Sequence, residues 1–246
     1  MSLSKVQVIS EPFKFAYYFG PERQSRRYEA RAVDQTMSYE SMARSILNRG
    51  IGDATDVIFV KDMAYYLKGR LGMLEEWFHD AKHSFLIRDP NKAILSQYRV
   101  SENPAIQSSG WDYFEPDEAG YQELHEMYEY VKKNIDPDPV VVDADDLLSS
   151  PKQVMKAYCE GVGIQYEDHM TSWKAGEVPA AWTWDEMCVA WYSTAVNSSG
   201  FVKEVDRHES SSTELCVTYP ANVVKAIEDS RPFYEKLHSN RVSLEY

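Results

Sequence analysis

Long apolar runs are missing from this sequence. No stretch of its 246 residues approaches the run of about 18 apolar residues that a transmembrane helix needs. The first residues, MSLSKVQVISEPF, also lack the apolar centre of a secretory signal peptide. These absences predict a soluble, cytoplasmic protein that does not insert into a membrane.

Positive charge is scarce. The chain has 26 Lys and Arg against 39 Asp and Glu, which gives a formal net charge of -13. Surfaces that bind nucleic acid or anionic lipid need an excess of Lys and Arg, so neither partner is expected. An anionic small molecule would have to be held by a local basic cluster.

Cysteine is also rare, and no Cys-x-x-Cys pair occurs among Cys159, Cys188 and Cys216. A disulfide framework and a zinc cluster are therefore not indicated. His79 and His83 are four residues apart, but they fall at the end of a predicted helix rather than inside one. No metal site is expected.

What the sequence does contain is an alternation of short apolar runs with helical patterns. The runs predict strands at 6–9, 56–60, 84–88 and 140–142. Apolar residues at helical spacing predict helices at 38–47, from 67 or 71 to 81, at 91–99, at 124–135, and from 151 to about 161 or 163. Pro232 is expected to kink or restart a C-terminal amphipathic segment at 223–237.

Continuously apolar strands that alternate with helices predict an α/β fold: a mostly parallel sheet with helices on both faces. No linker or internal repeat divides the chain. We predict a single domain over residues 1–246, with a helical C-terminal portion from about residue 164.

The most informative segment for function covers residues 85–99. It places Arg88 at the carboxyl end of a strand, just before a helix that carries Ser96 and Arg99. Ligands of open α/β sheets bind at this edge, and helix N-termini attract anions. Arg88, Ser96 and Arg99 are therefore candidate phosphate-binding residues. An Arg-Asp pair that closes the turn between strand and helix is the alternative, because such turns are common and only some bind ligands.

This segment resembles the element that binds the 3′-phosphate of PAPS (3′-phosphoadenosine 5′-phosphosulfate) in sulfotransferases, where an Arg and a Ser have the spacing of Arg88 and Ser96. Further likeness lies in residues 11–13, 17–23, 60–64, 140–147, 170–176 and 198–201. The chain is similar to a sulfotransferase-like family, some members of which have branched-chain aminotransferase-like names. The resemblance implies a three-layer, P-loop nucleotide-hydrolase-like architecture, PAPS or PAP as co-substrate, and a small-molecule acceptor.

One element of the family pattern is missing from the sequence. Sulfotransferases begin with a strand and a basic, Ser/Thr-rich loop around the 5′-phosphosulfate, and no Gly-x-x-x-x-Gly-Lys-Ser/Thr motif occurs here. Residues 21–25 are a weak substitute because no apolar strand precedes them. The fold is therefore expected to be N-terminally shortened, with either residues 6–9 in the place of the missing strand or two chains that complement each other in a homo-oligomer.

The catalytic end of the pattern is altered too. Where cytosolic sulfotransferases have Lys-x-His, with the His as general base, this sequence has Lys61, Asp62 and Met63. Methionine cannot accept a proton. Asp62 is a candidate base and Lys61 a candidate stabiliser of the transferring group, whereas a purely structural Lys-Asp pair is the alternative.

Aromatic residues are concentrated in the region where the resemblance places acceptor recognition. They serve either the acceptor or core packing. The set is Trp173, Trp182, Trp184, Trp191 and Tyr192.

Three functions follow from these patterns. The first is a weak or inactive member of a family that transfers a sulfuryl group from PAPS to a small alcohol or amine. The second is a protein that binds PAP or a similar phosphate ligand without transfer. The third takes the aminotransferase-like name literally, and would need pyridoxal phosphate and a larger fold than this chain provides.

Overall fold

A computed structural model describes residues 6–50, 56–107, 110–176, 182–183, 192–201 and 219–243. The strands are β1 (Val6–Ser10), β2 (Val57–Lys61), β3 (Ser84–Ile87), β4 (Val140–Asp143) and β5 (Trp182–Thr183). The helices are α1 (Lys14–Phe19), α2 (Tyr39–Leu47), α3 (Gly72–Phe78), α4 (Pro90–Ser101), α5 (Pro104–Gln107), α6 (Tyr121–Asn134), α7 (Ala144–Ser149), α8 (Pro151–Val162), α9 (Ser193–Asn197) and α10 (Ala221–His238). Short 3-10 turns lie at Ala64–Leu67, Pro116–Ala119 and Asp168–Thr171.

The predicted α/β class with parallel strands is confirmed. Within the described residues the strands form two sheets, β2-β1-β5 and β3-β4, and every pairing is parallel. At β4 the expected layering is visible. Val141 packs into the main core, which includes Leu237 of α10, while Val140 and Val142 pack with Val154 of α8 on the other face.

The five described strands do not form one continuous sheet. Residues 6–9 belong to β1, which pairs with β2 and β5. This strand therefore does not lie between β2 and β3, where it would have joined the two described sheets. Strands of a parallel sheet are normally buried on both faces, yet every residue of β2 is at least partly exposed. Val60 is 38% exposed and Leu86 of β3 is 63% exposed. Among the described residues, β2 and β3 are thus edge strands with partly exposed side chains.

Two further details differ from the sequence prediction. Pro232 lies inside α10, which continues from Ala221 to His238 without restarting. The portion beyond residue 164 also contains the short strand β5 beside its helices.

The core is built largely from tyrosine and phenylalanine. Tyr17, Tyr18, Tyr65 and Tyr66 pack with ring centroids 4.6 to 5.7 Å apart, mostly edge to face. Buried tyrosine hydroxyls need partners, and Tyr18 meets this need by donating to Glu118 at 3.0 Å.

Glu118 also forms a fully buried ion pair with Arg27. The closest approach is 2.6 Å, between Nη2 and Oε2, and the two side chains are 0% and 1% exposed. Nη1 of Arg27 donates to the carbonyl of Gly110 at 3.0 Å, and the guanidinium lies over the rings of Trp111 and Tyr113. This ion pair joins the segment after α1 to the loop before α6.

Removing one partner of such a pair leaves a buried charge without compensation. We expect Glu118→Gln to lower the free energy of unfolding by about 3–5 kcal/mol in urea titrations. Asp229→Asn, which removes the exposed partner of Lys225, is the control and should have little effect. Equal effects of the two variants would contradict a stabilising role for the buried pair.

Candidate functional site

The ends of β1 and β2 bring together a group of charged and phenolic side chains. The strands pair in parallel with Ser10 opposite Lys61, and the amide of Glu11 extends the ladder by donating to the carbonyl of Lys61 at 2.6 Å. Carboxyl ends of parallel strands meet at one edge of a sheet, which is where α/β proteins bind ligands. We call Glu11, Lys61, Asp62, Tyr66 and Tyr192 the strand-end cluster.

Glu11 lies at the centre of this cluster. Oε1 accepts from the Lys61 ammonium and, at 3.1 Å, from the Tyr192 hydroxyl, while Oε2 accepts from the Tyr66 hydroxyl at 3.3 Å. Burial is the largest single influence on both groups and opposes both charges, but the ion pair and the other neighbouring groups together outweigh it. The pKa of Glu11 is lowered and the pKa of Lys61 is raised.

The backbone of Glu11 is unusual. Its φ of +51° makes it the one non-glycine residue with positive φ in the described part of the chain. Such a conformation costs about 1–3 kcal/mol and often occurs at functional sites. Sequence reasoning did not select Glu11, although it directly follows β1, as Arg88 directly follows β3.

Asp62 fastens the loop after β1 to the end of β2. Its Oδ2 accepts from the amide of Phe13 at 3.0 Å, and its Oδ1 accepts from the amide of Met63 at 2.9 Å. Burial nevertheless raises the pKa of Asp62 to about 7. A carboxylate with this pKa exchanges protons near neutral pH, which is the property a general base requires.

The second group of predicted residues surrounds the turn from β3 to α4. The Arg88 carbonyl accepts from the hydroxyl of Tyr121 at 2.7 Å, which fixes the turn against α6. Asp89 caps α4 by accepting from the amide of Asn91 at 2.8 Å, and Arg231 of α10 binds both of its oxygens. The pKa of Asp89 is lowered, chiefly by Arg231.

Charges at the start of α4 are otherwise neutralised. Lys92 donates to both oxygens of Asp145 at 2.9 Å. Arg88 is exposed, and within the described ranges no hydrogen bond or ion pair engages its guanidinium. Ser96 is partly exposed two turns into α4, and Arg99 follows it in the last turn. Arg88 thus provides an available cation beside a helix N-terminus.

The two groups remain separate among the residues that the structure describes. Lys61 ends β2 and Arg88 follows β3, and these strands belong to different sheets. Arg23 in the loop at 21–25 is engaged elsewhere, since its guanidinium donates to the carbonyls of Arg31 and Glu29. Trp184 and Trp191 lie outside the described residues.

Within the same described ranges, no three His, Cys, Asp or Glu side chains form a group that could hold a metal ion. No described helix is long and apolar enough to cross a bilayer.

Comparison with known proteins decides the family. The model of the Sulfotransferase domain family matches residues 3–210, which is most of the chain. This chain belongs to the Sulfotransferase domain family. The predicted resemblance is therefore confirmed at the level of the family.

Two curated relatives from Arabidopsis thaliana match a similar part of the chain. They are named branched-chain-amino-acid aminotransferase-like proteins 1 and 2 and are 28% and 26% identical over 169 and 167 residues. These matches cover 69% and 68% of this chain but 26% of each relative. The chain thus spans about a quarter of their length.

A solved structure, titled as the sulfotransferase domain from the curacin biosynthetic pathway, also matches. It is 14% identical, with a TM-score of 0.43, and the match covers 76% of this chain and 67% of that one.

The raised pKa of Asp62 makes a prediction about stability. Its folded pKa of about 7 exceeds the ordinary 3.8, so the folded state binds the proton more tightly than the unfolded state. The free energy of unfolding should therefore fall as pH rises from about 4 to about 7, and this dependence should level off above that. In Asp62→Asn this component of the pH dependence should disappear.

Urea titrations between pH 4 and 8 test this prediction through the difference between the two proteins. Asp62→Asn also loses a hydrogen-bond acceptor, which changes the free energy of unfolding of the variant by an amount that does not vary with pH. Asp229→Asn, at an exposed carboxylate, controls for general charge effects. A wild-type curve parallel to that of Asp62→Asn would show that Asp62 titrates normally.

Proposed function

We propose that this domain binds the 3′-phosphate of PAPS or PAP with Arg88 and Ser96 and supports sulfuryl transfer to a small alcohol or amine. The single observation that carries the proposal is the available Arg88 guanidinium beside the start of α4, where Asp89 and Lys92 have partners. Membership of the Sulfotransferase domain family supplies the class of reaction.

The donor half of the site follows from charge and geometry. A guanidinium presents a planar fork of donors that matches phosphate oxygens. Ser96 lies about 9 Å along α4 from Pro90 at 1.5 Å per residue, so an extended Arg88 and the Ser96 hydroxyl would hold one phosphate from two sides. Arg99, one turn beyond Ser96, adds positive charge to the same part of the helix.

The transfer half belongs to the strand-end cluster. The acceptor oxygen or nitrogen forms a new bond to sulfur while the bond from sulfur to the phosphate oxygen breaks, and PAP leaves. Asp62 takes the acceptor proton, and the Lys61 ammonium stabilises negative charge on the transferring group and the leaving oxygen.

Replacing Arg88 tests the donor site directly. We expect Arg88→Ala to weaken PAP binding about 10- to 100-fold in isothermal titration, because a charge-assisted pair to phosphate is lost. Affinity for adenosine 5′-monophosphate, which lacks the 3′-phosphate, should not change. Arg44→Ala removes an exposed arginine on α2 and is the matched control. Wild-type PAP affinity in Arg88→Ala would refute the site.

A non-catalytic nucleotide-binding protein is the second candidate. It is favoured by Met63, which stands where the family resemblance places a base, and by the lack of a Gly-x-x-x-x-Gly-Lys-Ser/Thr motif in these 246 residues. Incubation with sulfur-labelled PAPS and a panel of small alcohols and amines separates the two functions. Labelled product that is lost in Lys61→Ala supports transfer, and PAP binding without product supports the second candidate.

A further inference from the structure

Glu11 contacts three other members of the strand-end cluster. Its donors come from three parts of the fold: Lys61 from β2, Tyr66 from the 3-10 turn after β2, and Tyr192 from just before α9. Tyr192 is 181 positions away in sequence. A carboxylate held by three converging donors has a fixed position.

The contact with Glu11 is the main constraint on the position of the Lys61 ammonium. Its side chain is 41% exposed, whereas that of Glu11 is 14% exposed. The other contact that the structure gives its ammonium is the Met63 sulfur at 3.3 Å, and a thioether is a weak acceptor. The long, flexible stem of lysine would otherwise sample many rotamers.

The strained backbone of Glu11 indicates a functional role for its side chain. Glycine adopts positive φ without steric cost, so a glutamate at this position carries a conformational penalty that glycine would avoid. The penalty is offset if the carboxylate is needed at this location. Lys61 is the cation to which it is paired.

We propose that Glu11 is a positioning residue that fixes the Lys61 ammonium at the carboxyl end of β2. Glu11 acts through Lys61 and does not contact the reacting atoms. The consequence for catalysis rests on the proposed sulfuryl transfer, while the positioning itself is a property of the free protein.

Lysine titration measures the positioning without any substrate. After reductive ¹³C-methylation, the Lys61 signal is assigned by its loss in Lys61→Arg and followed by NMR against pH. The charged and titratable groups around Lys61 are Glu11, Asp62 and Tyr192, with Lys14 acting on Glu11. In Glu11→Gln we expect the pKa of Lys61 to fall below its wild-type value, and in Glu11→Asp, which keeps the charge, to stay above that of Glu11→Gln.

Transfer and binding assays complete the test. Glu11→Gln should lower kcat about 10- to 100-fold, because a misplaced catalytic group loses its alignment, while PAP affinity stays at the wild-type value. The matched control is Glu123→Gln. Glu123 pairs with Lys68 at 2.7 Å, with exposures of 9% and 54% that resemble those of Glu11 and Lys61. It should move the Lys68 titration alone and leave transfer intact.

The outcomes separate this inference from the proposed function. An unchanged Lys61 titration in Glu11→Gln would overturn the positioning role, whatever the transfer assay shows. A wild-type protein without transfer would refute the catalytic proposal, and the Lys61 titration would still decide the role of Glu11. If Glu11→Gln does not fold, Glu11→Ala, which also removes the carboxylate, takes its place, and a Lys61 pKa and kcat both equal to wild type would then count against the inference.

Discussion

The parallel register between β1 and β2 determines where the charged groups of the candidate transfer site lie. It places Ser10 opposite Lys61 and allows the Glu11 amide to continue the ladder. The Glu11 carboxylate, just after β1, and the Lys61 ammonium, at the end of β2, therefore lie at the same edge of the sheet. A slip of one residue would turn the side chains of β1 to opposite faces. Asp62 reinforces this register, because its carboxylate accepts from the Phe13 amide after β1 and from the Met63 amide after β2.

A buried ion pair lies close in the fold to the strand-end cluster and supports it. Arg27 and Glu118 join two loops through the interior, and the Tyr18 hydroxyl that donates to Glu118 lies 3.4 Å from the hydroxyl of Tyr65. Tyr66, next along the chain, donates to Glu11. The aromatic core therefore does more than fill volume, because its hydroxyls connect a structural ion pair to the strand-end cluster.

Much of the fold was predictable because strands and helices leave periodic patterns. The strands at 84–88 and 140–142 and the helix at 151–163 correspond closely to β3, β4 and α8. The interruption of the sheet could not be read from periodicity, since pairing depends on which segments meet in space. Tyr192 shows the same limit, because an aromatic residue in a Trp-rich region gives no sign that its hydroxyl reaches Glu11.

Candidate residues were predictable to a similar extent. Arg88 could be selected because it lies at the end of an apolar strand, and Lys61 because it stands where the family resemblance places a Lys. Glu11 also lies at the end of an apolar strand. Glu11 was not selected because residues 11–13 were interpreted as the end of a strand and as part of the family likeness, without a role for the carboxylate. Its positive φ and its three donors are properties of the folded chain. The raised pKa of Asp62 likewise depends on its burial, which the sequence does not specify.

The division of the strands into two sheets has a consequence for backbone solvation. Along a strand, peptide groups point alternately to either side, so half of those in β2 face away from β1, and half of those in β3 face away from β4. No strand in the described part of the chain pairs with these groups, so within that part they are left to hydrogen-bond with water. Amide hydrogens along β2 and β3 should therefore alternate between slow and rapid exchange with solvent, a pattern typical of edge strands rather than of the interior of a parallel sheet.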